Sequence, residues 1–594
     1  MKKIIVLIIF LLLVPVVTAK QGHMILLAVE ETPKGIEGSK ADLYLELKKG
    51  TGRVFLDTFP LTKVDTQMST RFAKEIACNY LDINCDDYDF IYTIRADSVI
   101  IGGPSAGAAI TALTIAMLKN LEIDENITIT GTINSGGLVG PVGSLKEKID
   151  AASNSDIKKV LIPKGERFVK EKAAINITTN KTINKTTDLV GYGTNYNITI
   201  IEVSDIDDVV YELTGKKIKE TNAGLKISLD YLETMKQLAV DLCNRSNKLE
   251  NAVTPFIDKI NKSEELRSIK TDASNLKSKG KDAFDKKIYY SSASYCFGAN
   301  VNYNYLSALA QNLSKKELLK RSEIIRESIE DFNKNLEKKQ IRTITDLEAY
   351  MVVKERLIEA ENFLRVGLEN INNTKIAIYN LVYASERIYS AYSWSEFFGK
   401  AGKEFVLNKD ILKKSCMDKL SEAEERYQYV KSFLPTGLED TERELGYAYK
   451  DLENEDYELC LFKASKAKAE ADVILSVMNI EEEKIDSLID QKLEIIKKSI
   501  IEEEEKGIFP VLGYSYYEYA NALKKDDKYA TLLYSGYALE LSNLDLYFKE
   551  KKRIYIFDID KKIILVFFIG LLAGFLIAKS FKVKRKKIKR KKKK

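Results

Sequence analysis

Apolar and polar positions change rhythm near residue 220. Before that point, short apolar runs alternate with helical stretches. Strands are predicted at 24–30, 42–47, 52–56, 90–94, 98–101, 127–132, 159–162 and 198–203. Helices are predicted at 66–81, 106–119, 145–153 and 206–213. Such alternation argues for an α/β domain over residues 22–215. After residue 222, apolar residues recur at helical spacing almost to Lys552, with few Pro or Gly breaks. This predicts an all-α region over 222–555, built of helical hairpins. A faint echo runs through it, ending on Ala293, Ala384, Ala464 and Ser535 in successive Tyr-rich segments. Small residues on such helices suit close packing, and the tyrosine stripes read as core.

Two apolar segments bracket this body. Residues 1–19 open with Lys2 and Lys3, continue with the run Ile4–Val14 and end on Val17-Thr18-Ala19. That is the pattern of a secretory signal peptide, or of an N-terminal anchor if uncleaved. Residues 561–581 are apolar enough for a C-terminal transmembrane helix, with lysines at both ends. The basic run 582–594 follows, and the positive-inside rule places it in the cytoplasm. The expectation is a single-pass membrane protein with its bulk outside the cytoplasm. Its fold class is a multidomain α/β plus all-α chain. Gly570 and Gly574 share a GxxxG spacing used in helix dimers.

Charge changes little in this picture. The net charge is only +5 over 594 residues, and the terminal basic run accounts for it. No nucleic-acid partner is expected. Six cysteines suit an oxidising compartment and fall into sequence-near pairs: Cys78 with Cys85, Cys243 with Cys296, and Cys416 with Cys460. With one histidine, His23, and no CxxC, neither metal nor cofactor is expected. Glycosylation sequons cluster between Asn176 and Asn197, which suggests an exposed loop.

The candidate chemistry begins at Gly102-Gly103-Pro104-Ser105-Ala106-Gly107, ahead of the small-residue helix. A glycine-rich turn feeding a helix puts Ser105 where free backbone N–H groups and the helix dipole gather. By itself the turn reads equally as a helix cap or an anion-binding loop. Further on come Thr130-Gly131-Thr132 and Gly140-Pro-Val-Gly-Ser-Leu-Lys-Glu-Lys148. Together these segments resemble the proteolytic domain of Lon proteases, over about residues 22–215.

In that family the serine of Gly-Pro-Ser-Ala-Gly is the nucleophile, and the second lysine of the later motif is its general base. The resemblance assigns these roles to Ser105 and Lys148, 43 residues apart as in the family. It makes Thr130 the hydroxyl that orients the lysine, with Gly103, Pro104 and Gly107 shaping the nucleophile turn. A lysine base must be neutral. Its ordinary pKa near 10.4 has to fall towards neutrality, at a cost of about 4 kcal/mol. Burial among Leu145, Ile149, Ala151 and Ala152 is the available cause. Lys146 lies on another face of the same helix and is expected to be solvated.

The sequence departs from the cytoplasmic enzymes in three ways. Gly102 stands where they carry Asp, Thr132 where they carry Glu, and no Gly-x-x-x-x-Gly-Lys-Ser/Thr motif occurs. The form looks like a secreted or membrane-linked archaeal branch without an ATPase. The resemblance implies an ATP-independent serine endopeptidase for unfolded or exposed polypeptides, with a tendency to homo-oligomerise. The alternative is a non-catalytic surface scaffold that retains the fold. Residues 167–197 read as an insertion.

Overall fold

The computed structural model describes residues 21–33, 35–62, 64–81, 83, 85–96, 104–176, 181–219, 224–477, 482, 485–551, 570–576 and 579. Strand β1 (Gln21–Thr32) pairs antiparallel with β2 (Gly35–Lys49). After β3 (Val54–Phe59) and helix α1 (Val64–Tyr80), β4 (Tyr88–Ala96) joins β2 antiparallel and β3 parallel. The sheet order is β1-β2-β4-β3. Alternation fixes its faces, since Ala41, Leu43 and Leu45 of β2 point inward while their neighbours stay partly exposed. Helix α2 (Gly107–Lys119) is buried from Gly107 through Met117. Its Gly, Ala, Ile and Thr content leaves no charged face in that stretch, so it can pack as the domain's central rod.

A second, parallel sheet is ordered β11-β8-β5, from β5 (Ile127–Ile129), β8 (Lys159–Pro163) and β11 (Thr199–Val203). Between β5 and β8 lie the short pair β6 (Thr132–Ile133) and β7 (Val139–Gly140) and helix α3 (Leu145–Ser153). The insertion forms a hairpin of β9 (Phe168–Asn176) and β10 (Lys181–Asp188), then the short α4 (Leu189–Thr194). Helix α5 (Ile206–Thr214) closes the domain. The predicted strand 98–101 lies outside the described residues. The predicted strand 127–132 is broken after Thr130, whose N–H still donates to Leu161 O of β8 at 3.1 Å, because Gly131 turns to meet the Ser105 turn. Gly131 N–H donates to Ser105 O at 2.9 Å, and Ala108 N–H to Gly131 O at 3.1 Å.

The helical region comprises α6 (Leu229–Val253), α7 (Ile257–Asn261), α8 (Glu264–Asp285), α9 (Tyr289–Gln311), α10 (Lys315–Leu336), α11 (Ile344–Glu369) and α12 (Thr374–Trp394), then α13 (Lys409–Phe433), α14 (Glu439–Glu453), α15 (Tyr457–Val477), α16 (Ile485–Glu505), α17 (Val511–Leu523) and α18 (Lys528–Ser542). The echo has a packing basis: Ala293, Ala384, Ala464 and Ser535 are all buried, on α9, α12, α15 and α18. The tyrosines divide. Tyr231, Tyr303 and Tyr457 are core, whereas Tyr379, Tyr389 and Tyr392 are exposed along α12, so the all-core reading is corrected there. The solvent-facing positions of a helical hairpin simply have no facing helix to cover them. All three disulfides form in the expected pairing, with Cα–Cα separations of 6.0, 5.0 and 5.5 Å.

Residues up to Lys549 form one compact unit, so the α/β and helical parts pack on each other. Arg426 of α13 donates to Ile133 O at 2.9 Å and to Asn134 Oδ1 at 3.1 Å. Lys498 of α16 pairs with Asp205 at 3.0 Å and also with Asp207, and Lys506 donates to Asn79 Oδ1 at 2.7 Å. Residues 550–594 form a separate unit. The signal segment 1–19 lies outside the described residues, as does most of the expected span 561–581. Residues 570–576 are helical, with Leu571, Leu572, Phe575 and Leu576 exposed. No helix among the described residues is long and apolar enough to cross a membrane.

Candidate active site

Ser105 sits in a 3-10 turn, Pro104–Ala106, immediately before α2. Pro104 is buried and Ser105 partly exposed. The helix has no side-chain cap, so the positive end of its dipole faces the turn, while the Ala108 N–H is taken by Gly131 O at 3.1 Å. Two glycines permit the close approach of the segments. A Cβ on Gly107 would come within 3.0 Å of Ile133 Cγ2, and one on Gly131 within 2.6 Å of Val139 Cγ1. Gly103 and Gly102 lie outside the described residues.

Lys148 arrives from α3. The buried residues Leu145, Lys148, Ile149 and Ala152 recur at helical spacing, so the lysine occupies the core-facing stripe. It is 4% exposed, and its Nζ donates to Thr130 Oγ1 at 3.1 Å, itself 1% exposed. Burial pushes the ammonium down to about 8, against the opposing charges of Glu166 and Glu147. Thr130 adjoins Gly131, whose N–H holds the Ser105 carbonyl. Ser105, Thr130 and Lys148 therefore converge through one backbone junction. Lys146 is not simply solvated as expected, since its ammonium lies 5.4 Å from the centre of the Tyr192 ring. The insertion supplies that ring. His23 is bonded to Asp42 on the β1–β2 ladder at 2.9 Å.

One residue the sequence reading missed is Glu166. It follows β8 in Lys164-Gly-Glu-Arg167, a context that reads as a solvated turn, yet it is 8% exposed. Its Oε2 accepts from Val142 N–H at 3.3 Å, which ties it to the loop that delivers α3. Burial pushes its carboxyl up to about 8, opposed by the Val142 N–H and the Lys148 charge. The carboxyl is thus a much weaker acid than an exposed glutamate. The structure thus holds a hydroxyl at a helix start and a buried lysine with a lowered pKa on segments joined by the Gly131–Ser105 backbone bond, with the lysine ammonium on Thr130.

Residues 84–189 match the Lon protease (S16) C-terminal proteolytic domain. Over 149 residues the chain is 31% identical to Lon protease of Methanosphaera stadtmanae, covering 25% of this chain and 16% of that protein. It is 33% identical over 127 residues to Lon protease of Rickettsia typhi, covering 21% and 14%. It is 36% identical over 104 residues to Lon protease 2 of Bacillus subtilis, covering 17% and 19%. The chain thus spans less than a fifth of the length of these relatives. It carries a Lon-like proteolytic domain of the serine peptidase kind, and Ser105, Thr130, Lys148 and Glu166 fall within the matched residues.

Proposed function

We propose that the chain is an ATP-independent serine endopeptidase in which Ser105 is the nucleophile and Lys148 its general base. The observation that carries this reading is the burial of Lys148 against Thr130, with its ammonium pushed down to about 8. Neutral Lys148 takes the Ser105 Oγ proton as Oγ attacks the scissile carbonyl carbon. The positive end of the α2 dipole stabilises the negative charge that develops on the carbonyl oxygen. As the C–N bond breaks, the Lys148 ammonium returns the proton to the leaving amine. Water then releases the acyl group from Ser105 by the same route. Thr130 keeps the lysine aimed, and Pro104 with Gly107 shapes the turn.

With no nucleotide-binding motif in this sequence, the substrates are unfolded chains or exposed segments. Residues 1–19 direct export, residues 561–581 anchor the chain, and the tail 582–594 stays in the cytoplasm. The three disulfides support an oxidising location for the body. Protease shaving of intact cells that removes the body but spares a tag on residue 594 is the expected result for this topology. Association into a homo-oligomer belongs to the same reading, and sedimentation of the solubilised chain measures it.

The dyad is checked with Ser105→Ala and Lys148→Ala on unfolded casein. Either substitution is expected to lower turnover by at least about a thousandfold. Retention of wild-type cleavage by both removes the assignment. Labelling by a fluorophosphonate probe, lost in Ser105→Ala, separates the peptidase from a scaffold that merely keeps the fold.

A further inference from the structure

The α/β domain and the helical region enclose a cleft. Gly140, Pro141 and Glu166 line one side, and Asp472, Gln491 and Lys492 the other. Lys492 is 8% exposed, on α16. Among the described residues its Nζ has one hydrogen-bond acceptor, Ser476 Oγ at 2.9 Å. An ammonium has three protons to donate. The carboxylate whose charge reaches it, Asp472, is committed to Arg426 at 3.1 Å and Lys468 at 3.4 Å. Burial with so few partners pushes Lys492 down to about 8 against the charge of Asp472, whereas elsewhere in this helical region buried lysines sit directly on carboxylates; a carboxylate bound at its Nζ restores the full ammonium. The facing wall suits an incoming anion. Burial pushes the Glu166 carboxyl up to about 8, so it repels a carboxylate less than an ordinary glutamate does, and its acid form can donate to one.

We propose that this cleft receives a carboxylate of the polypeptide substrate, bound by the Lys492 ammonium. Polypeptides offer that group in two places, on Asp or Glu side chains and at the C-terminus. The inference rests on the peptidase reading, because Glu166 both lines the cleft and acts on Lys148. Ser476 is not a second nucleophile. It sits near the end of α15 with its hydroxyl on Val473 O at 2.7 Å, away from any helix start.

Binding is measured on the full-length Ser105→Ala protein, so that catalysis does not enter. The probes are fluorescent peptides in matched pairs: free C-terminal acid against amide, and internal Glu against Gln. One acid form is expected to bind about tenfold or more tightly than its neutral partner, a single charge-assisted contact. The pair that shows the difference identifies the source of the carboxylate. Adding Lys492→Met should equalise the pair, and Lys492→Arg should keep the preference. If Lys492→Met does not fold, Gln491→Glu at the same wall should weaken the acid peptide alone. Equal binding within both pairs overturns the proposal, as does a preference that survives Lys492→Met. The peptidase reading fails separately, through a wild-type chain that binds acid peptides selectively but cleaves nothing.

Discussion

The Glu540 cluster of the helical region and the Lys148 site of the α/β domain bury lysine in opposite ways, and Lys492 of the helical region follows the second pattern. In the helical region, Lys419 of α13 and Lys468 of α15 are almost fully buried and converge on Glu540 of α18, Lys468 at 2.5 Å. Burial alone would push Glu540 up, but the two ammonium charges outweigh it and hold the carboxyl down at about 2. Burial likewise opposes the charge on Lys419, and Glu422 and Glu540 override it, raising the lysine well above its usual range. In the α/β domain Lys148 is as deeply buried, yet it meets a threonine hydroxyl and a largely protonated Glu166. Burial then wins, and the lysine comes down. What separates the two is an ionised carboxylate at contact distance. A lysine that has one is locked as a cation and holds helices together. A lysine without one can give up its proton and serve as a base.

Substitutions at the two sites should dissociate stability from activity. Lys148→Met should abolish casein cleavage, by about a thousandfold or more, while the urea midpoint stays level or rises. Glu540→Gln should do the reverse. It removes the shared counter-ion and leaves Lys419 on Glu422 at 3.3 Å and Lys468 on Asp472 at 3.4 Å, which costs about 3 kcal/mol in urea unfolding, and below the transition it should leave Ser105 labelling intact. A destabilised Lys148→Met chain, or a Glu540→Gln chain of undiminished stability, would break the comparison. The sign of the pH dependence follows from the lowered lysine. The neutral base predominates above about pH 8, so kcat/KM should climb with pH and level off there.

How far the sequence discloses this depends on whether a feature is local. Helix 145–153 is predicted with its observed ends, because one stripe of Leu, Ile and Ala carries it. The cysteine pairs were legible because each joins neighbouring segments. The break after β5 was not, since it is made by Ser105 and Ala108, more than twenty residues away. Glu166 and Lys492 gave no signal at all. Each lies in an ordinary charged stretch, and only tertiary packing buries it. Gly102 stands where the cytoplasmic enzymes carry Asp, a difference that bears on the loop conformation; the carboxyl whose charge reaches Lys148 comes from another element, Glu166 on β8's exit turn.

Two smaller effects sharpen the contrast. Thr130→Val removes the hydroxyl that holds Lys148 and should lower kcat about ten- to a hundredfold, with little change in KM, because a misaimed base acts only in the chemical step. Glu166→Gln keeps the shape and the contact to Val142 but can never carry charge. In the wild type, any ionised fraction of Glu166 stabilises protonated Lys148 and raises its pKa. With glutamine that contribution vanishes, and the lysine loses its proton at lower pH. The rise in kcat/KM should therefore move towards acid, by less than about one pH unit, while the plateau is kept. A shift towards alkali would mean that Glu166 acts on the loop through Val142 and not on the lysine through its charge. A fall in the plateau with no shift would carry the same meaning. In either case the difference between the two lysines would rest wholly on the ionised carboxylates around Lys419.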